Sequence, residues 1–192
     1  VQGTSKEGPR KACDRMSAMK SDYSKKLLGI WSHPADFFSD PSQGDPSKAV
    51  PFAAVTGALV AVELGVWEAL TGGSLGMVAL VTGLLLAALP LAILAGAFLW
   101  ARFMGLCAYF VGENLPAARC FPVVAYSMAG LAAFVLGPGL GKWLALSAFL
   151  FQFLGFERSL SYSRWTALVL VGLPFSMAAV LVVFFGFIFK IH

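Results

Sequence analysis

Few residues in this 192-residue chain are of types that do chemistry. There are two histidines, His33 and His192, and three cysteines, Cys13, Cys107 and Cys120. No two cysteines form a C-x-x-C pair, and neither histidine lies inside a long apolar stretch. Nothing in that set indicates a metal site, a haem or a disulfide framework. No Ser/His/Asp or Cys/His combination has workable spacing, so no catalytic nucleophile is expected. The run Gly137-Pro138-Gly139-Leu140-Gly141-Lys142-Trp143 superficially resembles a phosphate loop. It has three residues where four should separate the glycines, and Trp143 where Ser or Thr should stand, so it reads as a turn. The expectation is a non-enzymatic protein with no cofactor and no nucleic-acid partner. One charge stands out. Glu63 falls inside a long apolar run, and a carboxylate there is either a structural group bonded within a bundle or part of a pathway or ligand site. Glu157 and Arg158 read as a surface pair.

The elements that must position these residues are unusually apolar. Hydrophobic residues make up 58% of the chain and charged residues 12%, against about 45–50% and about 25% in ordinary soluble domains. Of the 24 charged residues, 14 lie in residues 1–48. This divides the chain into a basic cytoplasmic segment, 1–48, and a membrane domain, 49–192. No signal peptide is read at the start, since residues 1–26 lack its apolar run. A helix needs about 20 apolar residues to cross a ~30 Å hydrocarbon core. Five stretches qualify: Val50 to Leu70, Leu75 to about Trp100, Cys120 to Gly137, Leu140 to Phe156, and Trp165 to Phe189. Turn residues separate them at 71–74, 112–116, 137–139 and 157–164. The second stretch stays apolar as far as Val111 and contains Pro90; it reads as one kinked span that leaves the membrane near Arg102. With the N-terminus in the cytoplasm, 12 of the 14 basic residues lie inside, and the C-terminus ends outside. The fold class expected is therefore all-α: an integral membrane bundle of five transmembrane helices, preceded by a short amphipathic interfacial helix.

That interfacial helix is expected near 24–38, where Leu27, Leu28, Ile30, Trp31, Phe37 and Phe38 alternate with Lys25, Lys26 and Asp36. Small residues recur every fourth position in two spans: Ala53, Gly57, Ala61, Gly65 and Ala69 in the first, and Ala125, Ala129, Ala133 and Gly137 in the third. Such stripes let helix backbones approach closely in lipid. The first and third spans are expected to meet through them, with a homo-oligomer as another use of the same surface.

The segment Leu27-Leu28-Gly29-Ile30-Trp31-Ser32-His33-Pro34-Ala35-Asp36-Phe37-Phe38 resembles the opening of the Yip family, the Ypt- or Rab-interacting membrane proteins, as its bacterial members carry it. Gly105, Tyr109 and the run Val123-Val124-Ala125-Tyr126-Ser127 are similar to the same family's segment between the second and third spans. The family's Asp-Leu-Tyr-Gly-Pro motif is missing, and Ala129-Gly130 replaces the usual proline after Tyr-Ser. The resemblance implies five spans, a bacterial inner membrane and no enzymatic activity. The function expected is a scaffold, partner-docking or bilayer-organising subunit, or an accessory subunit of a larger membrane complex. Its partners would be the bilayer and other integral membrane proteins. The contact surface would comprise Lys25, Lys26, Trp31, Phe37, Phe38, Arg102 and Trp165. The competing expectation is a small transporter or channel built around Glu63.

Overall fold

The computed structural model describes residues 22–131 and 141–190, with side chains for 22–131, 146–177 and 180. Within them the protein is all-α. Helix α1 occupies residues 22–32 and α2 Pro34–Ser39, and a 3-10 turn follows at Pro41–Gly44. Five longer helices come next: α3 Pro46–Leu70, α4 Leu75–Phe110, α5 Ala117–Ser127, α6 Gly141–Arg158 and α7 Arg164–Lys190.

Local chemistry explains the breaks. Asp45 caps α3 by accepting from the Ser47 amide, with Pro46 in the first turn, and Ser74 caps α4 through the Met77 amide. At the far end of α3, Gly72 has φ of +96°; its amide donates to Ala69 O and that of Gly73 to Glu68 O. The end of α4 repeats the motif, with Gly112 at φ of +84° and bonds from Gly112 to Tyr109 O and from Glu113 to Ala108 O. Both are left-handed glycine caps of the kind that satisfies the last carbonyls of a helix. The second apolar stretch is one unbroken helix of 36 residues with Pro90 inside it, about 54 Å long at 1.5 Å per residue.

α3 and α4 form an antiparallel hairpin. Gly57 sits on the backbone at Leu89 and Pro90, and Gly65 sits on Thr82. Among the described residues these two are the helices long and apolar enough, by length and composition, to cross a membrane. The third expected span begins as the 11-residue α5, followed by a 3-10 turn at 128–131; residues 132–140, with Ala133 and the Gly137-Pro138-Gly139 turn, lie outside the described residues.

The core is strongly lopsided. It gathers where the first half of α3, the second half of α4, α5, the second half of α6 and the first half of α7 converge. Its members include Phe52, Ala53, Ala101, Met104, Val124, Tyr126, Phe156, Leu170 and Val171. Trp100 Nε1 donates to Gln152 Oε1 at 3.1 Å. Phe175 meets both Trp100 and Phe149 edge-on, at 5.4 and 5.3 Å. Towards the turn at 71–74, by contrast, Leu75, Leu80, Leu84 and Leu91 of α4 are 60–90% exposed.

Candidate functional site at the charged end

The amphipathic segment does not lie free along a surface. α1 and α2 are strapped across the converging helices. Tyr23, Leu27 and Ile30, at helical spacing, turn inward: Tyr23 and Ile30 are buried, and Leu27 rests on the core. Pro34 opens the second helix after the break at His33, which turns the next aromatics inward as well. Phe38 is 1% exposed, against Gly155 of α6, where an added Cβ would meet its ring at 3.3 Å and would also strike Val123. Phe37 meets Tyr126 edge-on at 5.1 Å. Phe38 is therefore withdrawn from the exposed aromatic face expected of it, because the bundle has a gap at a residue without a side chain, and Phe37 is half-buried beside it.

The result is an aromatic junction. Tyr23 stacks on Phe52 at 4.9 Å, Phe52 leans on Tyr126 at 5.0 Å, and Tyr126 meets Phe37. Pairs of this kind contribute about 0.5–1.5 kcal/mol each beyond their burial. The Tyr23 hydroxyl pairs with Thr56 Oγ1 at 3.2 Å, and Thr56 also donates to Phe52 O. Burial pushes the Tyr23 hydroxyl above its ordinary value; the Thr56 bond pulls it back and the Glu63 carboxylate adds to the rise. Tyr126 is buried, with its hydroxyl lacking a hydrogen-bond partner. Lys26 holds its ammonium 6.0 Å from the Tyr126 ring centroid and 2.8 Å from Asp22 Oδ2.

The other expected contact residues stay outside. Lys25 and Arg102 are exposed, Trp165 is 78% exposed, and Trp31 is 44% exposed with its ring edge-on to Phe151. Arg102 lies over Phe98, 5.1 Å from the ring centroid. Glu157 pairs with Arg164 across the loop at 2.8 Å and not with Arg158, since neighbouring positions on a helix point apart. Glu63 is half-buried on α3, two helical turns beyond Thr56 on the same face.

The small stripe of α3 closes on α4: Gly57 meets Pro90 and Gly65 meets Thr82, with Ala61 fully buried between them. The partner expected for it was the third span. Ala125 and Ala129 are buried as well, within the core around α5. Gly105 lies against Leu115 O, where a Cβ would stand at 2.9 Å.

Tyr23, Phe52 and Asp22 were missed by sequence reasoning. The spacing of Tyr23, Leu27 and Ile30 was the available signal. Among the described residues no group of three or more His, Cys, Asp or Glu is placed to hold a metal. Comparison with known protein families, with curated proteins and with solved structures finds no match.

Proposed function

We propose that this chain is an integral membrane protein of five spans, with its N-terminus in the cytoplasm and its C-terminus outside, in a bacterial inner membrane. It works by contact, as a scaffold or accessory subunit for other membrane proteins. The observation that carries the reading is the division of the molecule. One end holds the aromatic core and is flanked by Lys25, Lys26, Lys48, Arg102, Arg119, Arg158 and Arg164; the other is a largely apolar hairpin with no Lys or Arg between Lys48 and Arg102, whose charges are Glu63 and Glu68. Basic residues gather on the cytoplasmic side of membrane proteins, and bare leucines are stable against lipid but not against water. Kinship with the Yip family belongs to the same proposal. It is supported by the way residues of its two segments meet: Phe37 on Tyr126, and Phe38 and Val123 both against Gly155. The docking face then consists of Lys25, Trp31, Arg102 and Trp165, all exposed at the charged end.

Cysteine labelling tests the topology. With the native cysteines replaced, Gly73→Cys should react from outside and Asn114→Cys only from inside; reaction of both from one side sinks the reading. Co-purification tests the function. The double variant Trp31→Ala/Trp165→Ala should release bound protein, while Glu63→Gln should not. The reverse pattern would favour a transporter or channel.

A further inference from the structure

We propose that a notch between α1 and α3 holds the headgroup of a phospholipid bearing a primary ammonium, with one acyl chain running along an apolar ridge of α3. The inference rests on the membrane reading above and adds to it a specific lipid. Asp22, Tyr23, Lys26, Pro51, Phe52 and Val55 line the notch. Its floor is apolar and its mouth carries two opposite charges, Lys26 and Asp22, whose Nζ and Oδ2 are 2.8 Å apart. They are held differently. The Lys26 side chain is 11% exposed, pinned above the Tyr126 ring, whereas that of Asp22 is 64% exposed. An ammonium has three donors and a carboxylate accepts about four hydrogen bonds, so one contact between them leaves capacity on both.

A phosphoethanolamine headgroup presents the reciprocal pair. Its phosphate accepts from Lys26, and its ammonium donates to the open side of Asp22. A phosphoglycerol headgroup offers Asp22 no cation. A phosphocholine headgroup offers it a cation without an N–H donor.

The ridge below fixes the amphiphile as a lipid. Val55, Leu59, Val62 and Val66 follow the 4-3-4 spacing of one helix face, roughly 130° round the helix from the Gly57, Ala61 and Gly65 stripe that closes on α4, with Glu63 on its flank four residues after Leu59. Leu59, Val62 and Val66 are 37–54% exposed. From Val55 to Val66 the helix rises about 16 Å, roughly the thickness of one leaflet of a ~30 Å core. The notch stands at the charged end of this ridge, at the level a headgroup occupies.

The test is native mass spectrometry of the purified, delipidated full chain in mild detergent. It is titrated separately with dioleoyl phosphatidylethanolamine, phosphatidylcholine and phosphatidylglycerol. Phosphatidylethanolamine should bind about tenfold more tightly than phosphatidylglycerol, the worth of one charge-assisted hydrogen bond. Asp22→Asn, at an exposed position, should erase that preference, weakening phosphatidylethanolamine and, with the carboxylate beside Lys26 gone, strengthening phosphatidylglycerol, while Lys26→Gln should weaken all three lipids. Equal binding of the three, or indifference to Asp22→Asn, overturns the specific site and leaves the membrane reading standing. Binding of none, with a protein that stays soluble once detergent is removed, overturns both.

Discussion

At Gly57 one methyl group would stand 2.7 Å from the Cα of Pro90, on backbone that has no way to move aside. Gly57→Ala is therefore expected to cost about 1–3 kcal/mol, the usual range for overpacking. Gly83→Ala is the control: nothing lies within 4 Å of its added Cβ, and removing a mid-helix glycine should stabilise by roughly 0.5–1 kcal/mol. Reversible unfolding in detergent with rising dodecyl sulfate measures both. The stripe itself was legible in the sequence, because small residues four apart let helix backbones approach closely, as Gly57 and Gly65 do and the exposed Ala69 does not. Its partner was not, because closeness says nothing about which helix comes close. Asp40 and Asp45 contribute to the acid response. Their carboxylates accept from Ser42 and Ser47 and are held below the ordinary 3.8. A carboxylate with a lowered folded value stabilises fully above its unfolded value, and the contribution is lost as pH falls through the folded one. Stability should thus be flat down to about pH 4 and decline below it. Asp45→Ala should lessen that decline, as seen in acid titrations followed by circular dichroism.

The hairpin of α3 and α4 has a register that chemistry can read out. An added Cβ at Gly65 would lie 3.0 Å from Thr82 Cβ, close to the 3.5–4.5 Å between disulfide-linked Cβ atoms. Gly65→Cys with Thr82→Cys is expected to cross-link on mild oxidation, and Gly65→Cys with Gly83→Cys is not; a mobility shift on non-reducing gels distinguishes them. The limits of these helices were plain from sequence, since Gly72 and Gly112 each sit one residue past a cap where a left-handed residue is needed. The fate of α1 and α2 was hidden for a physical reason. An apolar stripe flanked by lysines looks the same whether it faces lipid or a bundle. Only Gly155, far along the chain, makes room for Phe38.

Over the whole molecule, the uncovered face of α4 separates a membrane protein from a soluble one. Leu84 is 63% exposed, so Leu84→Arg breaks no contact of the fold. In a bilayer it should cost about 2.5–3.5 kcal/mol of insertion and shift the chain from the carbonate-resistant to the extractable fraction. Were water the natural surroundings of this face, the same change would raise solubility and leave the fold intact. The charge division was legible from composition alone. The lopsided core was not, because α4 is apolar nearly all round and the stripe of α3 marks a close neighbour without saying which end of the bundle is filled.

The strap has a consequence in time. Neighbouring helices joined by the short turn at 71–74 make the hairpin a local structure, available as soon as both arms exist. Phe38 is synthesised long before Gly155, the residue that makes its seat. At ~5–20 residues per second, the interval is roughly 6–25 s. Within it Phe52 and Tyr126, on which Tyr23 and Phe37 pack, are made first, and Phe38 is the ring that waits for α6. The docking of α2 is thus completed only once α6 has arrived.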